Sequence, residues 1–65
     1  MVVVNQHVRF DAFEYTKNEQ PLMVTGTVYG VNYAHKVFHV LYHIGSKEYR
    51  TSFKFCDIGT SVWVV

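Results

Sequence analysis

Apolar and polar residues alternate along most of the chain with the two-residue period of β-strands. Val, Ile, Thr, Phe, Tyr and Trp are spread over the whole length, and turn-forming residues interrupt the alternation at strand-sized intervals. No segment shows the 3.6-residue period of a helix of useful length. The pattern predicts an all-β domain.

The clearest local signal is a two-residue loop at Gly45-Ser46, which suits the primed turns of β-hairpins. One face of the predicted hairpin is aromatic or β-branched in nearly every pair: Ile44 with Lys47, Tyr42 with Tyr49, Val40 with Thr51 and Phe38 with Phe53. The opposite face is mostly polar: His43 with Glu48, Leu41 with Arg50, His39 with Ser52 and Val37 with Lys54. We expect the first face to meet the core and the second to meet solvent or a ligand.

Two further strands are predicted before the hairpin and one after it. The first runs from about Val2 to Ala12, and its inward side is expected to hold Val4, Val8, Phe10 and Ala12. The second runs from Leu22 to Val31, where Gly26 and Gly30 mark a bend or a close approach of another strand. The last runs from Ser61 to Val65 and is expected to pair with the amino-terminal valines. The predicted connections are a polar loop over 16–21, a loop over 32–36 and a tight turn over 56–59.

This order of elements resembles that of the SH3-like small barrels, and Ala12-Phe13-Glu14-Tyr15 resembles a shortened alanine-leucine-tyrosine-aspartate-tyrosine motif of SH3 domains. The resemblance implies one five-stranded antiparallel SH3-like barrel over residues 1–65. It does not extend to the polyproline groove, because Val37-Phe38-His39 and Phe55-Cys56-Asp57 stand where that family has its tryptophan and its proline-tyrosine pair. An OB-fold barrel is the alternative, but its usual helix between the third and fourth strands has no room at Gly45-Ser46.

Charge is nearly balanced, with six Lys and Arg residues against five Asp and Glu residues and a net charge of +1. Dedicated nucleic-acid binders are usually strongly basic, so the composition argues against that class. The small basic excess lies after residue 19.

Cys56 is the single cysteine, so no intramolecular disulfide can form, as is typical of a reducing compartment. The apolar run at residues 1–4 has no basic leader and is followed at once by polar residues, which argues against a signal peptide. No stretch approaches the ~18 apolar residues of a membrane span. We expect a cytoplasmic domain without a membrane partner.

His35, His39 and His43 recur every four residues, which on a helix is a metal-ligand spacing. The residues between them favour a strand, on which His39 and His43 stand about 13 Å apart. One zinc ion with bonds near ~2.0 Å cannot span that distance. The sequence therefore predicts no metal site and no cofactor.

Cys56 and Asp57 are adjacent, an arrangement that rarely gives a nucleophile and a base the geometry they need. No phosphate-binding loop or nucleophile elbow accompanies them. We expect a partly buried thiol and no catalytic residues.

Aromatic residues are more numerous than a barrel of this size can enclose. The interior is expected to hold Phe10, Phe38, Tyr42, Tyr49, Phe53 and Phe55. Some of the others must be partly exposed unless the long loop covers them: Phe13, Tyr15, Tyr29, Tyr33 and Trp63. Exposed tyrosine and tryptophan are typical of protein–protein interfaces.

The sequence thus predicts a non-enzymatic binding module that meets a protein partner or a second copy of itself, as an accessory or inhibitor protein of a kind common in phages and mobile elements. Its predicted contact residues are Phe13, Tyr15, Tyr33, His39, Arg50 and Lys54. The alternative is nucleic-acid binding, in which basic side chains of the hairpin attract phosphate and exposed rings stack on unpaired bases. A solvated strand face explains the same basic residues without any ligand.

Overall fold

The computed structural model describes residues 2–12 and 22–65, and these residues form one antiparallel sheet of five strands. Its strands are β1 (His7–Asp11), β2 (Met23–Asn32), β3 (Val37–Ile44), β4 (Lys47–Lys54) and β5 (Val62–Val64). They lie in the order β4-β3-β2-β1-β5, and a single 3₁₀ turn at Phe55–Asp57 leads from β4 toward β5. The all-β prediction is confirmed.

The hairpin of β3 and β4 has the predicted register in all eight pairs, from Ile44 opposite Lys47 to Val37 opposite Lys54. Gly45 has a φ of +62°, which glycine adopts without strain and which a primed two-residue turn requires at its first position. The inward side holds four buried residues: Phe38, Val40, Tyr42 and Phe53. The turn therefore fixes which side chains reach the core.

The sheet curls strongly around Phe10 of β1. In a flat sheet β1 and β4 would stand about 14 Å apart, three strand spacings of ~4.8 Å. The ring of Phe10 nevertheless lies 5.0 Å, centroid to centroid, from the rings of both Tyr42 in β3 and Phe53 in β4. Both contacts are edge-to-face, a favourable geometry for aromatic pairs. The concave side of the curl is the core.

Two features of β2 accompany this curvature, at the positions where the sequence predicted a bend or a close approach. A Cβ at Gly26 would lie 2.4 Å from Cγ1 of Val40, so β3 crosses here too closely for any side chain. The register between β2 and β3 shifts by one residue between Val28 and Gly30, which is a β-bulge. Bulges bend the strand that carries them and increase its twist.

The first strand is shorter than predicted. Asn5 has a φ of +75°, in the left-handed region that asparagine tolerates better than most residues, and the extended run is broken there. The alternation of inward and outward side chains is lost as a result. Val4, predicted to face inward, is 51% exposed, whereas Val2 is buried. Val8, Phe10 and Ala12 are buried as predicted.

The carboxyl-terminal strand lies beside the first strand, as predicted, but it pairs with Val8 to Phe10 and not with the valines of residues 2–4. The prediction that the Cys56 thiol is partly buried is wrong. Cys56 lies on the 3₁₀ turn and is exposed, because the turn carries its side chain away from the sheet rather than under it.

The two edges of the sheet, β4 and β5, do not pair with each other among the residues that the structure describes. The architecture is therefore a curled antiparallel sheet, and a barrel closed by hydrogen bonds is not seen. The predicted loop at 16–21 lies outside the described residues. Across 2–12 and 22–65, no helix is long and apolar enough to cross a membrane.

Replacing Phe10 by alanine is expected to lower the free energy of unfolding by about 3–5 kcal/mol, because the ring is fully buried between two other rings. That loss is comparable with the whole stability of a domain this size. Met23→Ala removes a large but exposed side chain from a neighbouring strand and is expected to cost less than about 1 kcal/mol. Urea unfolding followed by circular dichroism measures both, and equal losses would show that the core is not centred on Phe10.

Candidate functional site

The convex side of the central hairpin carries a continuous group of polar and amphipathic side chains. We call this group the outer hairpin face: Tyr29, His39, Leu41, His43, Glu48, Arg50, Ser52 and Lys54. The seven residues from β3 and β4 point away from the core because they alternate with the buried positions on each strand. Only His39 and Leu41 are half-buried, and the others are exposed.

Tyr29 joins this face from β2 because it follows buried Val28, and successive side chains of a strand point to opposite sides. It has no partner in the register, since Val28 pairs with Val40 and Gly30 pairs with His39. A Cβ at Gly30 would lie 3.3 Å from the His39 ring, so glycine at this position leaves room for that ring. The Tyr29 ring then lies 5.9 Å from the His39 ring, at an angle of 36°.

Arg50 connects the aromatic and charged parts of the face. Its guanidinium carbon lies 5.7 Å from the centroid of the Tyr29 ring, within the range of a cation–π contact. Its Nη2 lies 3.4 Å from Oε2 of Glu48 on the same strand. These exposed contacts contribute little to stability, but they favour one position of a long side chain.

The histidines on this face have separate partners. A hydrogen bond of 2.7 Å joins Nδ1 of His39 to Oγ of Ser52 across the hairpin. Nε2 of His43 lies 3.6 Å from Oε1 of Glu48, which is its cross-strand neighbour. Glu48 therefore lies between Arg50 and His43, and the face carries charges of both signs.

Lys54 lies on the same strand face as Arg50, four residues or about 13 Å farther along. Its backbone N–H donates a hydrogen bond of 3.0 Å to Oδ2 of Asp57. The Lys54 side chain is exposed, so it extends the basic end of the face away from Tyr29.

Tyr33, another predicted contact residue, lies in the turn between β2 and β3. Its hydroxyl donates a hydrogen bond of 2.7 Å to the carbonyl of Val2, and its ring meets that of Phe55 edge-on at 6.0 Å. The ring is nevertheless 52% exposed. The predicted residues Phe13 and Tyr15 lie outside the described residues.

Of the predicted contact residues, the structure brings His39 and Arg50 together around Tyr29, which the sequence did not assign to the site. The signal that could have placed it there is the two-residue alternation of β2, which sets Tyr29 on the side opposite Val28. Gly30 marks the bulge that leaves Tyr29 without a register partner.

A second exposed area lies on the convex side of the opposite edge. Trp63 of β5, opposite Arg9, is 43% exposed, and Met23 of β2 is 47% exposed. Val65 follows and is also exposed. With Tyr29 and Tyr33, this confirms that several aromatic side chains stay outside the core.

No group of three or more His, Cys, Asp or Glu side chains within 2–12 and 22–65 could hold a metal ion. Two of the regularly spaced histidines, His39 and His43, have different partners on the strand, as described above. The third, His35, lies in the turn before β3, where its backbone N–H donates to Oδ1 of Asn32.

Comparisons of the chain with protein-family models, with curated proteins and with solved structures find no match. The geometry of the outer hairpin face is therefore the basis for a functional conclusion.

Replacing Tyr29 by alanine is expected to remove a ring-current shift from the side-chain protons of Arg50, because the guanidinium lies beside that ring. The free energy of unfolding is expected to change by less than about 1 kcal/mol, since the contact is exposed. Tyr33→Phe is the control, since it removes only the hydroxyl that bonds to Val2. Proton NMR of the Arg50 side chain measures the shift, and an unchanged spectrum in Tyr29→Ala would contradict the contact.

Proposed function

We propose that this protein is a non-enzymatic binding module that recognises a protein partner through the outer hairpin face. The observation that supports it most directly is the contact of Arg50 with Tyr29 on an exposed surface. Tyrosine and arginine are the residue types that, with tryptophan, contribute most to protein–protein binding.

The arrangement of the face suits a protein surface. Half-buried Leu41 pairs with Arg50 across the hairpin and supplies an apolar centre. Glu48 and Arg50 supply opposite charges around it. An interface with an apolar centre and a mixed-charge rim is the usual composition of such contacts.

Side-chain order supports the same proposal. Arg50 is placed by Tyr29 and Glu48, and His39 is placed by Ser52. Binding costs free energy for each flexible side chain that must be fixed, so side chains already held in position reduce that cost.

We also propose that the curled sheet is an SH3-like barrel. The strand order β4-β3-β2-β1-β5, the short turn between β4 and β5, and the closing strand beside β1 fit an SH3-like barrel. The contact of Phe10 with Phe53 supports it, since it brings β1 and β4 together on the concave side.

Nucleic-acid binding is the second candidate, and one observation favours it. The rings of Tyr29 and His39 lie close together beside the Arg50 guanidinium, a combination on which an unpaired base can stack. Glu48 weighs against it, because its carboxylate lies against Arg50 and reduces the attraction for phosphate.

We expect Tyr29→Ala and Arg50→Ala each to weaken partner binding by at least about tenfold, the usual effect of removing a central interface residue. Immobilised protein would be used to capture a partner from a host lysate, and the captured protein would then be titrated with each variant. Trp63→Ala is the matched control, because it removes an exposed aromatic ring from the other edge of the same convex surface. Equal losses for all three variants, or a loss for Trp63→Ala alone, would contradict the proposed face.

Short single-stranded oligonucleotides test the second candidate. If they are the ligand, the backbone amide signals of Arg50 and Lys54 are expected to shift on titration, and the affinity is expected to fall steeply as salt rises. Unshifted signals at low salt would exclude this candidate and leave the protein-binding proposal standing.

A further inference from the structure

Among the residues that the structure describes, β4 pairs with β3 alone, so it forms an edge of the sheet. In an antiparallel pair, successive residues direct their backbone N–H and C=O groups alternately toward the partner strand and away from it. Across the two-residue turn, Ile44 and Lys47 exchange both of their hydrogen bonds, so every second residue from Glu48 onward directs its backbone away from β3. These outward-directed residues are Glu48, Arg50, Ser52 and Lys54.

The hydrogen bond of Lys54 confirms this alternation. Its N–H donates to Oδ2 of Asp57, which lies on the side away from β3. The other three N–H groups of the series have no hydrogen-bond partner among the residues that the structure describes. Within 2–12 and 22–65, the edge thus presents three N–H donors without an acceptor.

Long exposed edges are usually protected, by charged side chains, a proline, a bulge, a short strand or a covering element. The charged side chains of β4 have both signs, so they oppose pairing in some registers and favour it in others. The edge strand β4 contains no proline, and its register with β3 has no shift over its eight residues. Such an edge is a template on which another strand can pair.

We propose that the occupant of this edge is a second copy of the chain, whose β4 pairs antiparallel with the first about a two-fold axis at Thr51. In this register Arg50 faces Ser52 of the second copy, and Glu48 faces Lys54 of the second copy. The contact is made by the backbone edge of β4 and by the side chains of Glu48 and Lys54 at the border of the outer hairpin face, and it goes beyond the proposed function.

Every outward-directed N–H group of β4 has an acceptor in this register. Arg50 of each copy exchanges two backbone hydrogen bonds with Ser52 of the other copy, and the two-fold axis produces this pair twice. The N–H of Glu48 donates to the carbonyl of Lys54 in the second copy. The N–H of Lys54 needs no partner there, since Asp57 already accepts its hydrogen bond. All three free donors of each copy are satisfied.

Charge and strand length together select this register. Glu48 and Lys54 of the two copies stand opposite each other twice, and opposite charges at facing positions stabilise an antiparallel pair. An axis at Arg50 would instead place two guanidinium groups face to face. An axis at Tyr49 would pair Glu48 with Arg50, but it would bring the turn at Gly45 opposite the strand and leave the N–H of Ser52 without a strand partner.

The charge pairs allow a decisive test by sedimentation equilibrium, from about 10 μM to about 1 mM protein. The wild type is expected to show a monomer–dimer equilibrium. Lys54→Glu and Glu48→Lys are each expected to raise the dimer dissociation constant roughly tenfold, because two attractions become two repulsions. The double swap is expected to restore the wild-type constant.

Rescue by the double swap cannot arise within one copy, since residues six apart on a strand are about 20 Å from each other. Both positions are exposed, so the fold is expected to survive, as circular dichroism would verify. A wild type that stays monomeric throughout, or a double swap that fails to restore association, overturns the proposal. Loss of partner binding through Tyr29→Ala bears only on the outer hairpin face, so the two proposals fail separately.

Amide hydrogen exchange tests the same contact without substitution. In an isolated copy the N–H groups of Arg50 and Ser52 exchange rapidly, because they have no acceptor among the described residues. We expect their exchange to slow as protein concentration rises, while that of Thr51, bonded within the hairpin, stays slow throughout. Rapid exchange of Arg50 and Ser52 at every concentration contradicts the pairing.

Discussion

The contact of Phe10 with Tyr42 and Phe53 is the constraint on which the rest of the structure depends. It joins the first strand to the third and fourth across the concave side, so the sheet must curl instead of lying flat. In a chain of 65 residues with a single sheet, the sheet encloses a core by curling on itself. The close crossing at Gly26 follows from the same curvature.

The curl also affects the convex side. A β-bulge in β2 accompanies the bend, and Tyr29 lies at the bulge on the outward side, next to His39 and Arg50. A β2 without the bulge would keep Tyr29 outward but set it directly opposite His39 in the register.

The hairpin and its register could be predicted because both depend on local chemistry. A two-residue turn at Gly45 fixes the pairing, and a slip by one residue would put Phe38 on the wrong face.

The features that were missed depend on backbone conformations or on distant contacts. The positive φ of Asn5 reverses the alternation of the first strand, and many residues at that position would have continued it. The exposure of Cys56 depends on how the 3₁₀ turn lies against the sheet, which no short pattern encodes. Closure of a barrel depends on contacts between the edge strands β4 and β5, and the sequence carries only the order of the elements.

The two edges of the sheet differ in a way that bears on how far the protein can polymerise. The edge strand β5 is three residues long, and the carbonyl of Val62 already accepts a hydrogen bond from the N–H of Gly59. A strand of this length, with one carbonyl already bonded, has few backbone groups left with which a further strand could pair. Of the two edges in the described part of the chain, only β4 is long, so growth by strand addition has one productive end per molecule and stops once that end is used. An open fibre, which needs two such ends, is disfavoured by the length of the last strand alone.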